Sequence, residues 1–380
     1  MQQRSQACSR REFLRSASGA SAGILFGSCG LVKSALGAAQ SAPAGRRREV
    51  VVGGRRVLTV DVHNHVIVPD GFRLVRDNAE ARAIQNQFAS ATGPNYDVHG
   101  VDARLARMDR EGIDVQAVSA NPYWYWAERP LARDLMQIHN EQIAKLCAAH
   151  PNRFVGLAAV ALQHPDLAAE QLEEGVKKLG MRGCAIGASV NGEDLSSPKF
   201  HPFWAKAEEL GTLVFIHPQG FPEARRRLEG NGWLTNVIGQ PLETTVALSH
   251  LIFEGTLDRF PGLKICAAHA GGFLPSYIGR SDACLTAQPE SCKPVQKKPS
   301  EYLKQLYFDS LVFNNEGLRH LVAVAGSSQV VLGTDFPTQW NPRGVDHILG
   351  TPELSDADRR AILGGTAAKL LRIDWQPDRP

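Results

Sequence analysis

The sequence has little charge of either sign to spare. Against 42 Lys and Arg stand 39 Asp and Glu, a formal net charge of +3. The first 39 residues alone hold five Lys/Arg and one Glu, so the rest of the chain is close to neutral. No polybasic surface is present to bind nucleic acid. There is no Cys-x-x-Cys pair. Cys8 and Cys29 fall near the N-terminus, and Cys147, Cys184, Cys266, Cys284 and Cys292 are scattered and odd in number. That pattern implies no disulfide framework and no thiolate metal site, and Cys184 and Cys266 sit in apolar runs as core residues. After the N-terminal segment no apolar run reaches the roughly 18 residues a membrane-spanning helix needs. No glycine-rich loop follows the first apolar run, which argues against a dinucleotide-binding open sheet.

What is present begins with a leader. Residues 1–39 run from a basic start through a Gly/Ala/Ser-rich apolar segment to small residues, the anatomy of a secretory signal. Ser9-Arg10-Arg11-Glu12-Phe13-Leu14-Arg15 resembles the twin-arginine export signal. The expectation is export by the twin-arginine machinery to the periplasm or the extracellular space. Residues 40–55, small and then basic at Arg46-Arg47-Arg48, read as a linker, and 375–380 as a C-terminal tail.

Between them the pattern turns rhythmic. Apolar runs rich in β-branched residues occur at 57–62, 114–119, 154–161, 182–187, 212–216, 263–268, 305–309 and 329–334. Stretches with three- and four-residue apolar spacing separate them, at 101–112, 130–149, 166–179, 199–210, 242–259 and 315–326. Gly180 and Gly211 stand as helix stops. Residues 355–372 read as a closing helix with Ser355 as its N-cap. Eight nearly continuous apolar runs alternating with helices predict an α/β protein whose parallel strands are covered on both sides. The count is that of a (β/α)8 TIM barrel over residues 56–374.

Chemistry in such a barrel gathers where strands end. The first run ends in His63-Asn64-His65, the fifth in His217, the sixth in His269 and the eighth in Asp335. Residues i and i+2 of a strand point the same way, so both His63 and His65 can face the mouth. Imidazole nitrogens with a carboxylate suit a borderline divalent ion such as zinc. His139, His150, His164, His201, His250, His320 and His347 fall in helices or turns and read as surface or helix-end groups.

The ordered set Val62-His63-Asn64-His65, Leu105-Ala106-Arg107-Met108-Asp109-Arg110-Glu111-Gly112-Ile113-Asp114, Phe215-Ile216-His217-Pro218, His269-Ala270-Gly271-Gly272 and Gly333-Thr334-Asp335-Phe336-Pro337 resembles the amidohydrolase superfamily. Within it the chain is similar to the amidohydrolase-2 branch that includes aminocarboxymuconate-semialdehyde decarboxylase. The resemblance implies that His63, His65, His217 and Asp335 hold one divalent metal, zinc or alternatively manganese. It also implies that His269 works beside it as acid/base, with Asp335 as a second proton carrier. Binuclear relatives place a carboxylated lysine at the end of the fourth strand, where this chain reads Gly183-Cys184-Ala185-Ile186-Gly187, so a single metal is expected.

The branch implies nonoxidative decarboxylation of a small unsaturated or phenolic carboxylic acid, with hydrolysis of a lactone or cyclic ester as the alternative and a homodimer as the assembly. The two arginines with which the muconate-semialdehyde enzyme grips its substrate have no counterpart, since no Phe-Arg-Pro follows the first run and the second position falls near Gln288. Trp124 and Trp126, just after the second run, are candidates to stack on a conjugated ligand or to pack. Arg73 is a candidate anion contact or a solvated loop charge.

Overall fold

The computed structural model describes residues 47–375, except 80, 83–84, 86–96, 122, 293 and 339–342. The leader and the tail beyond Trp375 lie outside the described residues. Eight strand segments close into a parallel barrel: β1 Val60–Val66, β2 Val115–Ala120, β3 Phe154–Ala159, β4 Gly183–Gly187, β5 Leu213–His217, β6 Lys264–Ala267, β7 Leu306–Asp309, and β8, which runs in two pieces. Val330–Val331 pairs with β7 and Gly333–Phe336 pairs with β1, so β8 closes the ring by changing partner at Leu332. The break is held from outside, because Leu332 N–H donates to the Ile362 carbonyl and Val62 N–H to the Leu332 carbonyl, both at 2.9 Å. All eight predicted runs are strands of this barrel.

The strands are buried nearly end to end, as expected of a parallel sheet with side chains filling its inside and helices covering its outside. Among the helices are α1 Pro69–Leu74, α2 Val101–Glu111, α3 Arg129–Ala149, α4 Pro165–Lys178, α5 His201–Leu210, α6 Gly239–Phe253, α7 Leu274–Ala287 and α8 Asn315–Ala325. Gly112 and Gly211 end α2 and α5 at φ of 74° and 55°, a left-handed conformation that glycine adopts without the Cβ clash.

Four expectations need correction. The linker does not reach residue 55: Val51–Val52 and Arg55–Arg56 form a small antiparallel hairpin, and Val50 and Val52 are buried in the main core. The 242–259 helix breaks, with Gly255 at φ 74° opening a separate turn at Thr256–Arg259. The closing helix keeps its Ser355 cap but widens into a π turn at Ala361–Gly365. There Gly364 lies so close to the backbone of Leu58 that a Cβ would meet its carbonyl oxygen at 2.2 Å. Lastly, Cys284 and Cys292 form a disulfide between the end of α7 and the next turn, while Cys147, Cys184 and Cys266 stay reduced. Spacing alone gave no reason to pair two cysteines that a helix end brings together.

Candidate metal centre

Strand β1 does more than present two histidines. Its alternation sends His63 and His65 to the barrel interior, with ring centroids 5.2 Å apart, and turns Asn64 outward. The Asn64 amide donates to the carbonyls of Asp61 (3.0 Å) and Ala117 (3.1 Å), which ties β1 to β2. Its carbonyl accepts from Arg104, a fully buried α2 residue that also donates to Gln116 (2.9 Å) and to the His65 carbonyl. Gln116 in turn donates to Asp61, which accepts from the Thr334 hydroxyl at 2.7 Å. Burial pushes the Asp61 carboxyl up to about 7 against the pull of these hydrogen bonds. A satisfied polar belt of this kind fixes rotamers rather than merely adding stability.

His217, at the end of β5, brings its ring within 5.0 Å of His63 and 4.6 Å of His65. Asp335 Oδ1 lies 3.3 Å from Nε2 of both His63 and His65. One candidate ligand atom from each of His63, His65, His217 and Asp335 falls within 4.8 Å of the others, and all four residues are buried. His63 Nε2, His65 Nε2 and His217 Nδ1 are buried with no hydrogen-bond partner. Buried polar nitrogens are normally paired. Three unpaired ones converging beside a carboxylate therefore fit a divalent cation, and the donor set of imidazoles and a carboxylate is the chemistry such an ion takes.

The electrostatics agree. Burial pulls His63 down, but Asp335 and Asp309 more than reverse it and raise it to about 10. A positive charge is thus favoured where His63 and Asp335 meet, and a cation at that point would supply it. Burial holds His65 below the usual imidazole range and His217 well below it, which leaves them as neutral donors. Burial resists ionisation of Asp335, yet His63 and His65 hold its carboxyl well below the usual range.

Asp309, the last residue of β7, escaped sequence reasoning. Its Oδ2 lies 2.5 Å from His63 Nδ1 and accepts the backbone N–H of His269 at 2.8 Å. Its Oδ1 accepts from Ala270 N (2.8 Å) and Leu311 N (3.0 Å). A carboxylate on Nδ1 forces the N–H there and aims the lone pair of Nε2 at the cluster. The available signal was an apolar run, Leu306–Phe308, closed by an aspartate.

His269 stands with its ring 5.1 Å from His63 and 5.3 Å from His217, and its buried Nδ1 has no partner. Burial lowers its pKa to about 4. His269 and Asp335 both line a cavity of 440 Å³, walled by Val237, Pro241, Phe273, Leu311 and Phe313 among others. The end of β4, where binuclear relatives carry a lysine, is closed: Gly187 N–H donates to Tyr125 Oη at 2.8 Å, and a Cβ on Gly187 would meet Gln219 and Tyr125.

The structure does not bring the proposed substrate contacts to this cavity. Trp124 is buried in a second apolar cluster, edge-on to Phe72 at 5.0 Å, and its indole N–H points to His139. Trp126 packs at right angles to Trp124. Arg73 is exposed and ion-paired to Asp70 on its own helix. Two histidines read as surface groups are placed differently. His139 is a core residue whose Nδ1–H donates to the Leu135 carbonyl, and His320 lines the cavity wall.

The family model for amidohydrolases matches residues 60–373. The chain is 35% identical over 277 residues to 2-amino-3-carboxymuconate-6-semialdehyde decarboxylase of Dictyostelium discoideum, covering 72% of this chain and 77% of that one. It is 32% identical over 297 residues to gamma-resorcylate decarboxylase of Rhodococcus jostii (strain RHA1), covering 72% and 88%. The crystal structure of 5-carboxyvanillate decarboxylase from Sphingomonas paucimobilis superposes with a TM-score of 0.76 at 26% identity, over 84% of this chain and all of that one. Three further decarboxylase structures of this fold hold manganese. A barrel with this cluster of histidines and aspartate, matched along nearly its whole length, belongs to the amidohydrolase family, in its amidohydrolase-2 branch.

Proposed function

We propose that this chain is a metal-dependent, nonoxidative carboxy-lyase that releases CO2 from a phenolic or otherwise unsaturated carboxylic acid. The observation that carries the reading is the buried cluster of His63, His65, His217 and Asp335, opening beside His269 into a largely apolar cavity. Those four residues would hold one divalent ion, which when bound acts as a Lewis acid toward substrate oxygens. Asp309 fixes the His63 ring. Beside the largely apolar wall charge interactions are stronger than in bulk water. Loss of CO2 leaves an electron pair on carbon that must meet a proton. His269 and Asp335 are the titratable groups lining the cavity at the cluster end, and the imidazole of His269 is the group placed to exchange a proton with substrate there.

The decarboxylase relatives favour the lyase over lactone hydrolysis by the same centre. The test incubates zinc- or manganese-loaded protein with a panel of phenolic acids and lactones. CO2 release is expected, and lactone hydrolysis without CO2 would refute the lyase. His269→Ala should abolish turnover while elemental analysis still finds one metal per chain, and that analysis also decides between zinc and manganese. Export by the twin-arginine route to the periplasm or beyond belongs to the same proposal. The Ser9-to-Arg15 motif supports it, as does the Cys284–Cys292 disulfide, a bond that persists in oxidising compartments. Replacing Arg10 and Arg11 by Lys should retain the protein in the cytoplasm, read by cell fractionation. We also propose a homodimer, on the family likeness, to be measured by light scattering.

A further inference from the structure

The cavity beside His269 is chemically lopsided. His269 and Asp335 sit at the cluster end, and the rest of the wall is mostly apolar side chains, with the amides of Asn236, Gln240 and Asn314, the hydroxyl of Ser276 and the imidazole of His320. No lysine or arginine lines it among the described residues. Of the internal positions outside the described residues, only 293 is a lysine or arginine. An arginine, Arg225, lines an adjoining cavity of 260 Å³ that shares Asn236 and Gln240 with the first.

A carboxylate placed against such a wall would lose water and gain no countercharge, which is strongly unfavourable. A hydroxyl or methoxy group would not suffer this, because neutral amides satisfy it. The His320 ring adds a further polar group to the wall, with its Nε2 3.3 Å from the Pro275 carbonyl.

We infer that the cavity selects acids whose anionic groups all sit at the metal end, and that Asn236 and Gln240 form the wall that rejects a second, remote carboxylate. The inference rests on the lyase reading for its substrates. It separates the relatives by chemistry, since gamma-resorcylate is a monoacid whereas carboxyvanillate and the aminocarboxymuconate semialdehyde are diacids.

The test uses the metal-loaded enzyme and a matched pair, 2-hydroxybenzoate carrying at ring position 5 either a methyl group or a carboxylate. The monoacid is expected to exceed the diacid in kcat/KM by about 100-fold, the scale on which an apolar pocket rejects an analogue carrying an added polar group. Values within fivefold of each other would overturn the selectivity and leave the lyase standing. Calorimetric titration with the corresponding 2-nitrophenols, in which a nitro group replaces the carboxylate beside the hydroxyl, reads the same preference without loss of that carboxylate. A preference of about 100-fold there with no CO2 from any acid would refute the lyase alone. Gln240→Arg should move the ratio toward the diacid by about tenfold, and an unmoved ratio in a folded variant would overturn the placement of the wall. Efficient diacid turnover that Arg225→Ala abolishes would show that Arg225 serves this cavity, which also overturns the inference.

Discussion

Asp309→Asn is the sharpest perturbation of the site, because the replacement keeps shape and changes only charge and one donor. The carboxylate faces four partners that all want an acceptor or are held as donors: His63 Nδ1 and His269 N–H on Oδ2, Ala270 N–H and Leu311 N–H on Oδ1. An amide has one acceptor oxygen and one NH2 group. If the oxygen takes the backbone pair on the Oδ1 side, the NH2 faces His63 Nδ1–H and His269 N–H. If it takes the other side, the NH2 faces Ala270 and Leu311. Either way two buried donors are opposed by a donor. Each orphaned group costs about 1–3 kcal/mol, and one escape exists: His63 can move its proton to Nε2 and accept from the amide. That escape removes His63 from the ligand set.

The expected result is therefore double. The metal-free protein should lose about 2–4 kcal/mol, a fall in Tm of roughly 5–10 °C. Metal affinity, read by chelator competition, should fall about 10- to 100-fold. Measuring stability without metal separates the two effects. An Asp309→Asn protein with metal affinity within twofold of the parent and an unchanged metal-free Tm would refute the claim that Asp309 sets the His63 tautomer.

Three further outcomes are expected. Burial lifts the Glu243 carboxyl from 4.5 to about 7 against hydrogen bonds from Ser189 and Gln219. A raised folded-state pKa means that stability is greatest below about pH 4.5 and falls as pH rises through 7, by about 3 kcal/mol. Glu243→Gln should flatten that slope in urea melts across the window, and a parallel curve would refute it. Reducing the Cys284–Cys292 bond, which closes a loop of sequence separation 8, should cost about 2.5 kcal/mol in the chain-entropy account. Coincident denaturation midpoints with and without reductant would contradict this. Arg104→Met should destabilise by about 3–5 kcal/mol, because it strands Gln116 and Asn64 and removes the cation lying 4.2 Å from the Phe336 ring. Arg104→Lys should rescue little of the lost Tm, and full rescue would show that only the charge matters.

The barrel was legible because periodicity reports burial, and eight strands buried on both faces leave continuous apolar runs. The four residues of the candidate metal cluster stood out for the same reason, since they sit where such runs end. The supporting shell was harder to read. Asp309 closes a run too, but an aspartate after Leu-Tyr-Phe is equally a turn residue until a neighbouring strand brings His63 to it. Arg104 and Arg107 lie in an amphipathic helix, where a charge normally faces water. Here both guanidiniums fold inward onto Phe336, 4.2 and 4.6 Å from its ring, and Arg107 also donates to the Pro337 carbonyl. Trp124 and Arg73 do not line the cavity beside His269, because position along the chain after a strand does not fix direction. Trp124 turned into a packing cluster at φ 56°, and Arg73 found Asp70 three residues away.

The strained backbone at the site shows how these pieces depend on one another. His269, Ala270 and Asp335 are non-glycine residues at φ of 52°, 55° and 55°, a conformation costing of order 1–3 kcal/mol each. Asp309 accepts the N–H groups of the first two. The third is held by its own carbonyl, which accepts from Thr338 N–H at 2.9 Å, while the two α2 arginines grip the Phe336 ring next to it. The strain turns His269 and Asp335 away from the strand direction, so that both reach the cavity and the histidine cluster at once. The residues that impose it, Asp309 and the arginine pair, hold it from outside the ligand set. A mutation in this outer set should therefore impair the centre without removing a ligand, and the metal-free stability should report it first.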